Sequence, residues 1–180
     1  MCDPRYQPWT GGGAHFSFFN QPIAAEQNFL MFCSALSPLL ESHSDASAQL
    51  EALVEGFSSM MQEKWKAMWE SKLGLDSFDT ALFNDLIPLM IDSSLDYTIF
   101  FRELSTIPED ITPLLKSFYN ESLVDHKRLE EWKGWHQRWL SLIDTSSAES
   151  RIALSERMKR TNPKYTLREW FLVSAYRQAE

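Results

Sequence analysis

From Phe29 to Leu40 the sequence FLMFCSALSPLL is apolar on nearly every side of a helix. Water tolerates that pattern only where other elements pack all round, so a central helix is expected there. The preceding Phe16, Phe18 and Phe19 suit an extended run. Asn20 and Gln21 then stand before Pro22, whose fixed φ and missing N–H fit the first helical turn, with Asn20 or Gln21 near the cap. Pro38 should kink or end the helix, and a dozen apolar residues are too few to span a bilayer.

After a polar connection over 42–47, apolar residues recur at three- and four-residue steps: Leu50, Leu53, Val54, Phe57, Met60, Met61, Trp65, Met68, Trp69 and Leu73. This predicts a long amphipathic helix stopped by Gly74, with Gly56 marking a bend or a close crossing. Asp76 to Asp79 should cap a helix burying Leu82, Phe83, Leu86, Ile87, Leu89 and Met90, its last turn distorted by Pro88. Ser93, Ser94 and Asp96 open a short helix through Tyr97, Phe100, Phe101 and Leu104, ended near Pro108, and a further piece covers 111–119. From Asp125 a helix places Trp132, Trp135 and Trp139 on one face. Such a row packs a core, lines a domain interface, or stacks bases or sugars. Ser146 and Ser147 start another helix ending near Arg160, Thr161-Asn162-Pro163 breaks it, and a last helix from Thr166 buries Leu167, Trp170, Phe171 and Tyr176. No β sheet and no internal repeat is evident. The reading is an all-α, multi-helix bundle: one helical domain over 1–180, with 1–21 an extended or loop lead-in and 22–180 helical.

Residues 1–14 read as a loop, because Pro4, Pro8 and the glycines at 11–13 break any period. Those glycines are not a phosphate loop, since no Gly-Lys-Ser/Thr follows and a phenylalanine run comes next. A chain of 180 residues, 44% hydrophobic, can bury one good core. Its net charge of −8 disfavours nucleic acid and anionic membranes as general partners. The charge is uneven: residues 1–125 carry six Lys or Arg against eighteen Asp or Glu, whereas 126–180 carry eleven against seven. Either these are solvated helix faces, or the basic end docks on the acidic part or on a neighbour. No basic region followed by an apolar run opens the chain, so a cytoplasmic location is expected. Cys2 reads as a terminal thiol and Cys33 as a small buried hydrophobe.

Little in the sequence announces chemistry. His15, His43, His126 and His136 lack metal-ligand spacing, and Asp76 with Asp79, or Asp92 with Asp96, read as caps and surface groups. No G-x-S-x-G elbow is present. Lys164 and Arg168 flank a helix start, where the dipole disfavours cations, so a compensating partner is expected: an acidic residue of the fold, or else a bound phosphate or carboxylate. Arg102, among Phe100, Phe101 and Leu104, should be half-buried and paired.

Four segments together carry a resemblance: FSFFNQP at 16–22, KLGL at 72–75, DYTIFFRELS at 96–105 and NPKYTLREW at 162–170. In this order and spacing they resemble the selenoprotein O / YdiU family, over nearly the whole chain. The resemblance implies a protein-kinase-like fold turned to AMP transfer, in which ATP is bound in a flipped orientation and AMP is attached to Ser, Thr or Tyr of protein substrates. It implies that the chain corresponds to the helical carboxy-terminal portion, the C-lobe region. The nucleotide-binding glycines, the lysine and its acidic partner, the catalytic aspartate and the Asp-Tyr-Gly metal segment would then lie upstream of Met1. The family's carboxy-terminal redox Cys/Sec pair would lie beyond Glu180. Gly13-Ala14-His15-Phe16 also stands where the family commonly has Gly-Arg-Tyr.

The chain is therefore expected to be a fragment of a larger protein, inactive alone and structural. It would have no catalytic, cofactor-binding or metal residues of its own, with ATP and magnesium belonging to the parent. Its expected partners are the missing amino-terminal kinase-like lobe and the parent's protein substrates, with no nucleic acid and no membrane. The alternative is a stand-alone helical protein-interaction module without catalysis.

Overall fold

The computed structural model describes residues 18–119, 125–166 and 169–179, and among them every regular element is helical. A single 3-10 turn, Phe18–Asn20, leads into α1 (Gln21–Leu40). Then come α2 (Ser44–Leu73), α3 (Thr80–Asp92), α4 (Tyr97–Leu104), α5 (Thr112–Leu115), α6 (His126–Leu142), α7 (Ala148–Thr161) and α8 (Glu169–Ala179). Strand-like pairing is confined, among the described residues, to one antiparallel bridge, Leu95 with Phe118. Among the described residues no helix is long and apolar enough to cross a membrane. The glycines at 11–13, Cys2, His15, Phe16, Leu167 and Arg168 lie outside the described residues, as do the side chains of Trp170 and Phe171.

Local chemistry sets most boundaries. The side chains of Asp79, Asp96, Asp125 and Ser147 accept from the backbone N–H of Leu82, Ile99, Arg128 and Ser150, each three residues on, satisfying amides that a helix leaves open. Pro22 sits in the first turn of α1 as expected, but Asn20 makes no side-chain cap there. Phe18 and Phe19 are in the 3-10 turn rather than an extended run. Pro38 and Pro88 both lie inside their helices, which continue to Leu40 and Asp92. Gly74 ends α2 with φ +72, and a Cβ there would come within 2.7 Å of Met158 Sδ and 2.9 Å of Leu154 Cδ1. Only glycine suits that conformation at that distance. Gly56 has nothing within 4 Å of a would-be Cβ, so no close crossing exists there.

The chain divides into two compact units, one ending at Trp69 and the other beginning at Glu70. In the first, Phe29 stacks on Phe57 with ring centres 4.5 Å apart and Phe19 on Trp69 at 6.0 Å, so α1 and α2 run antiparallel. The expected all-round burial of α1 does not occur. Cys33 is its one buried residue, while Met31 and Leu39 are 71% and 72% exposed. The apolar pattern records hydrophobicity on every side, and α2 covers only one side of it. Along α2, likewise, Leu53 and Met60 are exposed.

The second unit holds the main core. Leu82, Leu86 and Met90 of α3, Phe100, Phe101 and Leu104 of α4, and Trp132, Trp135 and Trp139 of α6 are each less than 5% exposed. The tryptophan row is thus core and not a stacking platform. Its indole N–H groups donate to Ser93 Oγ (2.8 Å), the Leu82 carbonyl (3.1 Å) and the Leu73 carbonyl (2.8 Å), so burying them leaves no donor orphaned.

Candidate functional site

The most unusual chemistry lies where the ends of α2, α4 and α7 meet within the second unit. Lys72, in the last turn of α2, is only 7% exposed. It continues the stripe of half-buried Trp65 and buried Trp69 at helical spacing, so helix periodicity turns a charged residue inward. Its ammonium lies 4.8 Å from the ring centre of Tyr97 and 4.6 Å from that of Phe101, between two electron-rich faces. It donates to Asn162 Oδ1 at 2.9 Å. No carboxylate among the described residues pairs with it. Burial, which disfavours the charged form, holds the Lys72 pKa down at about 8.

Asn162 is the hub. Its amide nitrogen donates to the Lys72 carbonyl (2.9 Å) and to Ser105 Oγ (3.0 Å), while its backbone N–H closes α7 on the Met158 carbonyl (2.8 Å). Ser105 Oγ donates in turn to the Phe101 carbonyl (2.7 Å), and Ser155 Oγ donates to the Ser105 carbonyl (2.7 Å). Arg102 reaches the same corner from α4, donating from one guanidinium nitrogen to the carbonyls of Lys159 (3.2 Å) and Asn162 (3.1 Å). It is half-buried, as expected, but its partners are the open carbonyls at the end of α7, where a cation also suits the helix dipole. Three of the four sequence segments singled out above, those beginning at Lys72, Asp96 and Asn162, therefore converge on one knot.

The other candidates resolve separately. Lys164 is exposed and has no carboxylate partner among the described residues; its ammonium lies 5.1 Å from the Tyr165 ring centre. The expected acidic compensation is absent there because Asn162 and Pro163 carry the chain off the α7 end into solvent. Asp79 caps α3 and accepts from Arg138 (3.0 Å), Asp76 lies 3.5 Å from Arg157, Asp92 pairs with Arg128 (2.8 Å), and Asp96 caps α4 and accepts from the Tyr119 hydroxyl (3.1 Å). His136 is 2% exposed, its pKa lowered chiefly by burial, against a hydrogen bond that the ring donates to the Pro108 carbonyl, which raises it. Its Nε2 has no hydrogen-bond partner among the described residues. No group of three or more His, Cys, Asp or Glu among the described residues could hold a metal.

Sequence reading missed Lys72, Ser105 and Asn162 as a unit. A lysine on the tryptophan stripe of an amphipathic helix was the available signal. Its partner, ninety residues away in sequence, was not.

Compared with known proteins, the chain matches over residues 6–180 the family described as protein adenylyltransferase SelO. It is 28% identical over 189 residues to the protein nucleotidyltransferase YdiU of Flavobacterium johnsoniae, covering 99% of this chain and 35% of that protein. It is 30% identical to the YdiU of Photobacterium profundum, covering 92% of this chain and 33% of that one. To the YdiU of Nitrosococcus oceani it is 31% identical, covering 82% and 28%. The chain spans about a third of the length of the curated relatives it matches.

Proposed function

The chain belongs to the protein adenylyltransferase SelO family, and from that premise we propose that it is the helical, structural portion of a protein that transfers AMP from ATP to Ser, Thr or Tyr hydroxyls of other proteins. AMP transfer needs charge neutralisation around the phosphates, usually by a held metal and fixed cations. Among the described residues no group of three or more His, Cys, Asp or Glu could hold a metal, and the buried cation Lys72 is enclosed by Tyr97, Phe101 and Asn162 of the chain itself. ATP and magnesium thus belong, in this proposal, to the parent, and no step is assigned to them here. The catalytic lobe and the parent's protein substrates are the partners it implies, in the cytoplasm, with no nucleic acid or membrane involved.

The observation that carries the structural role is the knot. Three of the segments most characteristic of the family resemblance converge there, and their polar atoms bond to one another, locking α2, α4 and α7 together. A buried polar network whose members bond to one another specifies one packing of the helices that supply them.

The test is calorimetric titration of magnesium-ATP into this chain and, in parallel, into the full-length Photobacterium profundum relative, with AMP transfer to a protein acceptor followed by labelled ATP. Binding and transfer by the relative alone support the proposal. Saturable binding by this chain overturns the structural reading. A relative that binds ATP but modifies no protein overturns the AMP-transfer reading.

A further inference from the structure

Between α1 and α2, wholly within the first unit, runs an open groove of about 570 Å³, a volume typical of sites that take a side chain cluster or small ligand. Along it runs an apolar strip, Leu30, Leu50 and Val54 half-buried and Cys33 4% exposed, with Ser34, Ser37 and Ser47 beside it. Its rim carries the exposed carboxylates Glu41, Glu51 and Glu55. The charge is not locally neutralised. From Gln21 to Glu63 the chain has six Asp or Glu and no Lys or Arg at all, unlike α6 and α7, where carboxylates and cations pair side by side. Two helices that leave an apolar strip in the groove between them, bordered by one sign of charge, complement an amphipathic helix with apolar residues on one face and lysine or arginine on its flanks.

We propose that the α1–α2 groove is a docking site for a cationic amphipathic helical segment of a partner protein, its apolar face seated on Leu30, Cys33, Leu50 and Val54 and its cations on Glu41, Glu51 and Glu55. Charge complementarity selects this occupant. An acidic or neutral helix would meet the same strip without the rim, and an unstructured cationic peptide would meet the rim without the strip. The inference does not depend on AMP transfer, and its test reads binding alone.

The probe is a fluorescent Leu/Lys amphipathic helix of about five turns, titrated by anisotropy into the whole chain carrying Cys2→Ser, so that Cys33 is its one thiol. The comparison peptides are a scramble of the same composition and a Leu/Glu helix. A dissociation constant of order 10 μM at about 0.15 M salt is expected for the Leu/Lys helix, with both comparison peptides at least about tenfold weaker. Glu41→Gln, Glu51→Gln and Glu55→Gln together should weaken binding about tenfold or more. The same charge removed at Glu63, Glu109 and Glu149, none of which lines the groove, should weaken it less than about threefold. Saturating peptide should also slow the reaction of Cys33 with a thiol reagent several-fold, since that thiol lies in the strip. Equal binding of the scramble, equal loss in the two triple variants, or an unchanged Cys33 rate under saturation would each overturn the proposal.

Discussion

Lys72 shows how one residue can be both misplaced by charge and well placed by geometry. Taking its ammonium out of water costs free energy that two aromatic faces and one amide only partly return, and the depressed pKa of about 8 measures the deficit. The folded state holds this proton less tightly than the unfolded chain, whose lysine titrates near its model value of 10.5. Relative to a chain without the amine, folding stability therefore gains as pH rises through the window from about 8 to 10.5, by about 3 kcal/mol in full. Urea unfolding of the native chain and of Lys72→Met from pH 7 to 10 should show the native chain gaining stability relative to the variant as pH rises; parallel curves would mean that the ammonium is hydrated in the fold. His136 behaves alike in a lower window. Its pKa is lowered by burial, so stability present above about 6.5 should be lost as pH falls towards the folded value. His136→Gln should flatten that acid limb when urea unfolding is followed from about pH 7 downward.

At the level of single helices, the caps and stops decide where elements end, and these were readable because each acts within a few residues. Asp79, Asp96, Asp125 and Ser147 all cap where sequence placed a helix start, and Gly74 stops α2. Gly56, inside α2, and Gly74, just past its end, make opposite predictions. Gly74→Ala forces a Cβ against Met158 and Leu154 at positive φ and should cost about 2–4 kcal/mol. Gly56→Ala adds a methyl in open space within a helix and should stabilise by up to about 1 kcal/mol. Thermal unfolding of the pair should move the midpoint in opposite directions, and a shared direction would sink this account of Gly74. What sequence could not supply was the partner of each buried polar group. Arg102 was recognisable as half-buried, yet its acceptors are carbonyls 57 and 60 residues away, and no periodicity encodes a contact at that separation.

Across the whole molecule the same limit separates the two units. In the second, the apolar stripes of α3, α4 and α6 meet one another, so pattern and burial agree. In the first, α1 is strongly apolar in sequence but buries only Cys33. Sequence reports how much apolar surface a helix carries, and only neighbours decide how much of it is covered. Local stability should follow coverage, because opening α1 exposes little new apolar surface whereas opening α6 uncovers three tryptophans and frees their hydrogen-bonded N–H groups. Hydrogen exchange followed by mass spectrometry should therefore find amides in the middle of α1 exchanging at least about a hundredfold faster than those of α6 around Trp135. If the α1–α2 groove takes a cationic helix, the Leu/Lys peptide should slow exchange in α1 and the first half of α2 while leaving α6 unchanged, since ligand binding stabilises the region it contacts by mass action. Protection rising equally in α6 would instead mean that the peptide acts on the molecule as a whole, and equal protection of α1 and α6 without peptide would show that surface coverage does not set the stability of the first unit.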